Sequence, residues 1–306
     1  MISNLDGPSQ VFLADLGRLE QRLAQVNQEI TSGRKINQAS DAPDQIDSVL
    51  QLRADQQHNQ QIQTNLAVAQ TGAQAADGAL GSAIQLMDRA LTLAAQGAST
   101  TTDAAGRQSL AADVQSLQQE MVAFSQTTVG GRYIFSGDQD TAPAYALDAA
   151  GSNGVSQLQA VSASVQVEDP AGGSFAASKT ASEIFDQRNS DGSVASGNVF
   201  AALNNLQLAL TNGDADAVSQ TVSALQAASD HLNSMQAFYG NVENRIQDAQ
   251  TFAGRYDTQL QTELSQKQDA DVTADALALT QCQTQLQAAF EMQAAMPHKS
   301  LFEYLG

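Results

Sequence analysis

Residues 44–96 read DQIDSVLQLRADQQHNQQIQTNLAVAQTGAQAADGALGSAIQLMDRALTLAAQ. No proline interrupts them. An apolar or small residue returns at Ile62, Leu66, Ala69, Ala73, Ala76, Leu80, Ala83, Met87, Ala90 and Ala94. The steps alternate four and three, which keeps one face of an α-helix apolar along its whole length. At 1.5 Å per residue the stretch predicts a helix about 80 Å long, far beyond the globular average of ~11–12 residues. The alanines on its seam let a partner helix come close. Gly72, Gly78 and Gly81 weaken the helix by up to about 1 kcal/mol each where they face solvent. Ser40 or Asp41 is placed to cap the first free N–H groups, and Pro43 suits a first helical turn.

The same rhythm appears on either side. Upstream, Phe12, Leu16, Leu19, Leu23, Val26 and Ile30 form a second row with the spacing of side-by-side helices. Gly33 ends it as a C′ residue, with Arg34 and Lys35 suited to a helix C-terminus. Downstream of a Ser/Thr-rich loop at 97–106, a third helix carries Leu110, Val114, Leu117, Met121, Phe124 and Thr128, and Gly130-Gly131 ends it. Residues 132–137, RYIFSG, then read as a strand with a turn signal. Residues 138–198 are rich in Gly, Ser, Ala and Asp, and the alternation at 161–167 suits a half-buried strand. Helical periodicity returns with Phe200, Leu203, Leu206 and Leu210, then runs from Val218 to Leu260 with a break or bend expected near Gly240. A last helix carries Leu279, Cys282, Leu286 and Ala289.

The predicted fold is therefore mainly α. A long antiparallel helical bundle is formed by the N- and C-terminal segments, with a small β-rich insert in the middle of the chain. Three domains are expected: a terminal coiled coil from 1–43 and 265–306, a long-helix bundle with a β-hairpin from 44–137 and 199–264, and a β-rich outer insert at 138–198. The pattern alone is as compatible with a bundle closed inside one molecule as with one completed by neighbours.

Composition excludes several functions. The chain has 306 residues, 14 basic against 33 acidic, and a net charge of −19. With no basic run, it is unsuited to nucleic acid or to an anionic membrane surface. No apolar run is long enough to span a bilayer, and the N-terminus lacks the charged and apolar regions of a cleavable signal peptide. Aromatic residues make up 5% and tryptophan is absent, so the apolar side chains serve long seams better than a thick core.

Catalytic patterns are missing. His58, His231 and His298 stand far apart and match no metal-ligand spacing. Cys282 lies on the apolar row of the last helix, as a small hydrophobe would. Asp269, Asp271 and Asp275 suit a helix N-terminus, and Glu168-Asp169-Pro170 reads as a turn. Phosphate-cradling and nucleophile-elbow strings do not occur. No cofactor or metal is expected, and the chain does not read as an enzyme.

Ile30-Thr31-Ser32-Gly33-Arg34-Lys35-Ile36-Asn37, followed by Ala39-Ser40-Asp41-Ala42-Pro43, resembles the N-terminal signature of the bacterial flagellin superfamily. Asn65 matches the family's asparagine on the next helix. Leu264-Ser265, Asp269-Ala270-Asp271, Gln285-Leu286-Gln287-Ala288 and residues 300–305 are similar to its C-terminal region. The resemblance covers about 1–137 and 235–306. Gly130-Gly131-Arg132-Tyr133-Ile134-Phe135-Ser136-Gly137, with Thr141-Ala142-Pro143 after it, resembles the hook–filament junction branch, the third hook-associated proteins. Ala42 stands where the family carries a second Asp, and Ala144 where Phe often follows Pro.

The resemblance implies a structural subunit of the flagellum, extracellular, exported unfolded without a cleaved signal peptide. It implies terminal helices that pair on assembly. It implies as partners neighbouring copies, the second-junction hook-associated protein, flagellin, and an export chaperone on the C-terminal helix. The expected assembly seam joins Leu16, Leu19, Leu23, Val26 and Ile30 to Leu279, Leu286, Phe290, Leu301 and Leu305. The residues carrying the family motif are Ser32, Gly33, Arg34, Ser40, Asp41, Pro43, Asn65, Gly131, Arg132, Tyr133, Phe135 and Gly137. A minor flagellin that polymerises into the filament, a surface-binding module built on the insert, and an enzyme with its site in the insert are the alternatives.

Overall fold

Helix-forming runs, interrupted where glycine, Asn or Asp changes the backbone course, divide the chain into long helices and short hairpins. The computed structural model describes residues 7–160 and 163–295. In chain order these contain α1 (Gly7–Ser32), α2 (Ile46–Ala98), α3 (Ala104–Ser125), β1 (Thr128–Val129), β2 (Arg132–Tyr133), β3 (Tyr145–Leu147), β4 (Val155–Gln157), β5 (Gln166–Glu168), β6 (Ser174–Ala176), α4 (Ala181–Ile184), α5 (Val199–Thr211), α6 (Ala215–Gln268) and α7 (Val272–Ala295). The mainly helical fold with a small β insert is as the periodicity predicts. The chain divides into two compact units, one of residues 1–58 with 256–306 and the other of residues 59–255.

In the second unit, α2 and α6 run side by side. Asn59 Nδ2 donates to the Ala253 carbonyl at 2.9 Å, and Gln70 and Gln250 bond at 3.0 Å. The alanine seam is as dry as expected: Ala73, Ala76, Ala83, Ala90 and Ala94 are buried with Leu66, Leu80 and Met87. α3 packs on α5. Its first turn is capped by Asp103, which accepts from Gly106 N–H at 2.7 Å. The β elements are three two-stranded antiparallel hairpins, β1–β2, β3–β4 and β5–β6. Buried Val167, Phe175, Ile184 and Phe185 belong to the same hydrophobic cluster as the helices. Arg245 of α6 lies 4.3 Å from the Phe175 ring centroid, which ties β6 to the bundle.

Four local expectations need correction. α3 ends at Ser125, not at the glycine pair, because Gly130 and Gly131 take φ of 59° and 80° and make the two-residue turn of β1–β2. Thr128 is thus a strand residue. Only Arg132 and Tyr133 of the RYIFSG stretch are strand. The chain then turns, Ser136 N–H bonding to Tyr133 C=O at 3.2 Å, and Phe135 enters the core. The second predicted strand begins at Gln166; residues 161 and 162 lie outside the described residues. α6 continues through Gly240 without a break.

Gly154 shows how tightly the insert meets α3. Its φ is +71°, and a Cβ there would stand 1.9 Å from Gln118 Nε2 and 2.9 Å from Asn204 Oδ1. Gly154→Ala adds overpacking (~1–3 kcal/mol) to a left-handed backbone strain of about 1–2 kcal/mol. The expected result is a loss of about 2–5 kcal/mol in urea unfolding followed by circular dichroism.

Candidate assembly interface

The first unit is built around a clamp between the two ends of the chain. α1 closes on Gly33, whose φ of +67° lets its N–H bond to Glu29 C=O at 2.8 Å. The chain then runs antiparallel to the segment between α6 and α7. Lys35 N–H donates to Gln268 C=O at 2.7 Å, Ala270 N–H donates to Gly33 C=O at 3.1 Å, and Arg34 bridges to Asp269. Ser32 Oγ accepts from Arg34 N–H, and Asn37 Nδ2 donates to Arg34 C=O at 2.8 Å. Ile36 is buried with Ala42 and Val49, against Ile46 and Leu264. Within the C-terminal side of the clamp, Ser265 Oγ donates to Asp269 Oδ2 at 2.6 Å. Each residue type in the Ser-Gly-basic-Ile-Asn run thus has a physical task.

Asp41 does not cap α2. Its carboxylate accepts from the N–H groups of Asn37 and Gln38 at 2.9 and 2.7 Å. The loop ahead of the helix offers two donors converging on one oxygen, and α2 starts five residues later at Ile46. Ser40 and Pro43 are exposed in that loop. Asn65 is exposed on α2, where its Oδ1 accepts from Gln61 Nε2 within the same helix at 3.0 Å.

From the clamp, α1 and α7 leave together and pack along each other. Val26 and Cys282 are buried. Leu16, Leu19, Leu23, Ile30, Leu279 and Leu286 are half-buried on the facing rows. Phe290 departs from the expected seam and is 49% exposed. One step past half-buried Ala289 rotates it by about 100°, off the row. Leu301 and Leu305 lie outside the described residues.

The second motif, GRYIFSG, anchors a hairpin to the core of the other unit. Gly131 makes the turn, Arg132 pairs with Asp140 at 2.8 Å, and Tyr133 N–H bonds to Asp140 C=O at 2.8 Å. Phe135 meets Phe185 and Tyr239 edge-on, at centroid distances of 5.6 and 6.4 Å. Gly137, at φ +52°, redirects the chain.

A buried polar centre lies in the insert, with no periodic signature in the sequence. Asp186 is 1% exposed. Its carboxylate accepts from Tyr145 OH at 3.1 Å, Asn153 Nδ2 at 3.0 Å, Asn198 Nδ2 at 2.7 Å and Arg188 Nε at 3.1 Å. Two local signals pointed toward it. Thr180-x-x-Glu183 is a capping box, and Asn198 caps α5. With its acceptor sites filled by protein donors, the carboxylate holds the insert together and offers nothing to a substrate.

Burial raises the Tyr145 and Tyr239 phenols above their ordinary value. The folded chain therefore keeps two protons that the unfolded chain releases above about pH 10. Stability from these groups is fully present below that pH and falls as pH rises above it. Absorbance at 295 nm should show both phenols ionising only with alkaline unfolding, whereas in concentrated urea they titrate near pH 10. Glu183 moves the other way. Burial alone would raise its carboxyl, but hydrogen bonds from Lys179 and Thr180 outweigh it and hold the group below the ordinary range.

Among the described residues, no three His, Cys, Asp or Glu side chains are grouped to hold a metal ion. None of their helices is long and apolar enough to cross a membrane.

Residues 4–140 match the model of the bacterial flagellin N-terminal helical region, and residues 222–305 match that of the C-terminal helical region. No curated protein matches in sequence. Several solved structures share the fold. One from Vibrio parahaemolyticus, described as a flagellar hook-associated protein, is 17% identical with a TM-score of 0.62, over 75% of this chain and 100% of that one. FlgL of Bacillus cereus is 17% identical at 0.55, over 72% and 100%. The flagellar junction protein FlgL of Legionella pneumophila is 15% identical at 0.53, over 67% and 99%. The two family models span both sides of the clamp and leave the insert between them, and on that evidence the chain belongs to the bacterial flagellin family.

Proposed function

We propose that this chain is a structural subunit of the bacterial flagellum that forms the junction between hook and filament. The observation that carries the reading is the end-to-end clamp, in which residues 33–36 pair with 268–270 and send α1 and α7 off together. That arrangement presents two helices as one unit, with Leu277 and Met292 of α7 left more than half exposed. The fold shared with hook-associated proteins and the GRYIFSG hairpin support the junction over the filament.

In this reading, residues 1–43 and 265–306 form the assembly-dependent domain, residues 44–137 and 199–264 the long-helix bundle, and residues 138–198 the outer insert. Neighbouring copies, a second hook-associated protein and flagellin are the contacts. An export chaperone holds the C-terminal helix before the subunit is exported.

Immunogold electron microscopy on isolated flagella tests the reading. Label confined to a short band at the distal end of the hook is the expected result. Label along the whole filament would make the chain a minor flagellin, and its absence from flagella would end the assembly reading.

A further inference from the structure

Asparagine followed by glycine occurs twice in the chain, at Asn153-Gly154 and Asn212-Gly213. Such a pair carries a chemistry that needs no enzyme. The glycine backbone nitrogen attacks the asparagine side-chain carbonyl, and the missing Cβ leaves its approach open. Both pairs share this reactivity, so the fold decides which of them reacts.

The fold holds the first pair closed. Asn153 is 4% exposed, and its Nδ2 donates to Asp186 Oδ1 at 3.0 Å. Its carbonyl accepts from Gln118 Nε2 at 3.3 Å. Gly154 N–H bonds to Gly151 C=O, and Gly154 C=O accepts from Asp148 N–H, each at 3.0 Å. Freeing the Asn153 side chain breaks its bond to the buried carboxylate and opens the β3–β4 loop. Groups tied into a core in this way open only with the surrounding unit.

The second pair stands in the turn between α5 and α6. Asn212 is exposed, and among the described residues nothing bonds its side-chain amide. Its backbone is held by end-of-helix bonds: Asn212 N–H to Leu208 C=O at 3.0 Å, Gly213 N–H to Leu210 C=O at 3.1 Å and Asp214 N–H to Ala209 C=O at 3.3 Å. Helix ends fray at little cost. A Cβ on Gly213 would meet no atom within 4 Å, so the turn has room to move. Once Gly213 N–H leaves Leu210, rotation of Asn212 away from its ψ of −10° brings the nitrogen to the side-chain carbonyl carbon.

We propose that Asn212 is a site of spontaneous deamidation, from which the Asp186 centre protects Asn153. Hydroxide takes the Gly213 N–H proton, and the nitrogen bonds to Asn212 Cγ. The Cγ–Nδ2 bond breaks, ammonia leaves and a succinimide closes. Water then opens the ring. Addition at Cγ gives aspartate, and addition at the Asn212 backbone carbonyl gives isoaspartate. The net change turns an amide and water into a carboxylate and ammonium. The new charge falls at the C-terminus of α5, where the helix dipole opposes it. It also lies beside Asp214, whose carboxylate accepts from Asp216 and Ala217 N–H at 3.0 Å at the start of α6. Modification therefore loosens the turn that joins the two helices.

The test incubates the full chain in mildly alkaline, heavy-oxygen water, and peptide mass spectrometry follows both asparagines. Position 212 should convert at least about tenfold faster than position 153, gain heavy oxygen and yield more isoaspartate than aspartate. In concentrated urea the two sites should react at similar rates, because the protection belongs to the fold. Asn212→Gln should leave the circular dichroism spectrum unchanged and abolish conversion at 212, since its longer side chain closes a larger ring far more slowly. The proposal falls if the folded chain converts Asn153 as fast as Asn212, if position 212 stays intact, or if its product holds no isoaspartate. A tenfold difference that persists in urea would overturn the protection of Asn153 by the fold.

Discussion

Asp186→Ala should unfold the insert more readily than any surface change in the chain. Removing the carboxylate leaves the buried Tyr145 hydroxyl and Asn153 amide without the acceptor they use, while the Asn198 amide keeps the Gln187 carbonyl at 3.1 Å and the Arg188 guanidinium the Gly192 carbonyl at 3.4 Å. Breaking a buried charge network from one side costs about 3–5 kcal/mol, chiefly through the groups left behind. The expected result is a loss of that size in urea unfolding, read by circular dichroism. Asp186→Asn restores one acceptor oxygen but turns an amide donor toward donors already there, so it should recover less than half of the loss. A double-mutant cycle with Tyr145→Phe should show a coupling of roughly 1–2 kcal/mol, because the 3.1 Å bond counts once only when both partners are present. Additive single effects would mean that Asp186 acts through packing and not through this network.

The second large effect concerns assembly. Leu19→Glu combined with Leu286→Glu places carboxylates on the facing rows of α1 and α7, where both leucines are half-buried. Bringing unpaired charge into an apolar contact costs several kcal/mol or forces the helices apart. The 59–255 unit uses neither residue, so the purified chain should stay soluble with the same main thermal transition. Complementation of a deletion strain should fail, with no detectable swarming. A double mutant that restores full motility would show that the α1–α7 seam is not needed. Leu19→Met with Leu286→Met keeps the seam apolar and should restore motility.

The helices were legible because their determinants are local and repetitive. A four-three alternation from Ile62 to Ala94 admits one periodic structure, and Gly33 ends α1 at the place its backbone freedom demands. The misread residues each had a local reading that a distant or converging partner outweighed. Asp41 looked like a helix cap, but Asn37 and Gln38 point two N–H groups at it first. Gly130-Gly131 looked like a helix end, but the hairpin needs two consecutive positive-φ residues. Phe290 carried the right hydrophobicity one residue off the row that α1 covers.

The candidate interface divides in the same way. Ser32, Gly33, Ile36 and Asn37 could be recognised as a motif, yet their purpose is the pairing with Gln268 and Ala270, more than two hundred residues away in the chain. The Asp186 centre assembles donors from a strand, a loop and a helix cap, none with periodic spacing.

The sequence by itself determined the helical class and the close-packing alanine seam, because periodicity and composition act over neighbours within a few residues. Only the tertiary structure decided which polar side chains meet and where the clamp closes. Those contacts depend on where long helices carry distant residues, and no local preference encodes such distances.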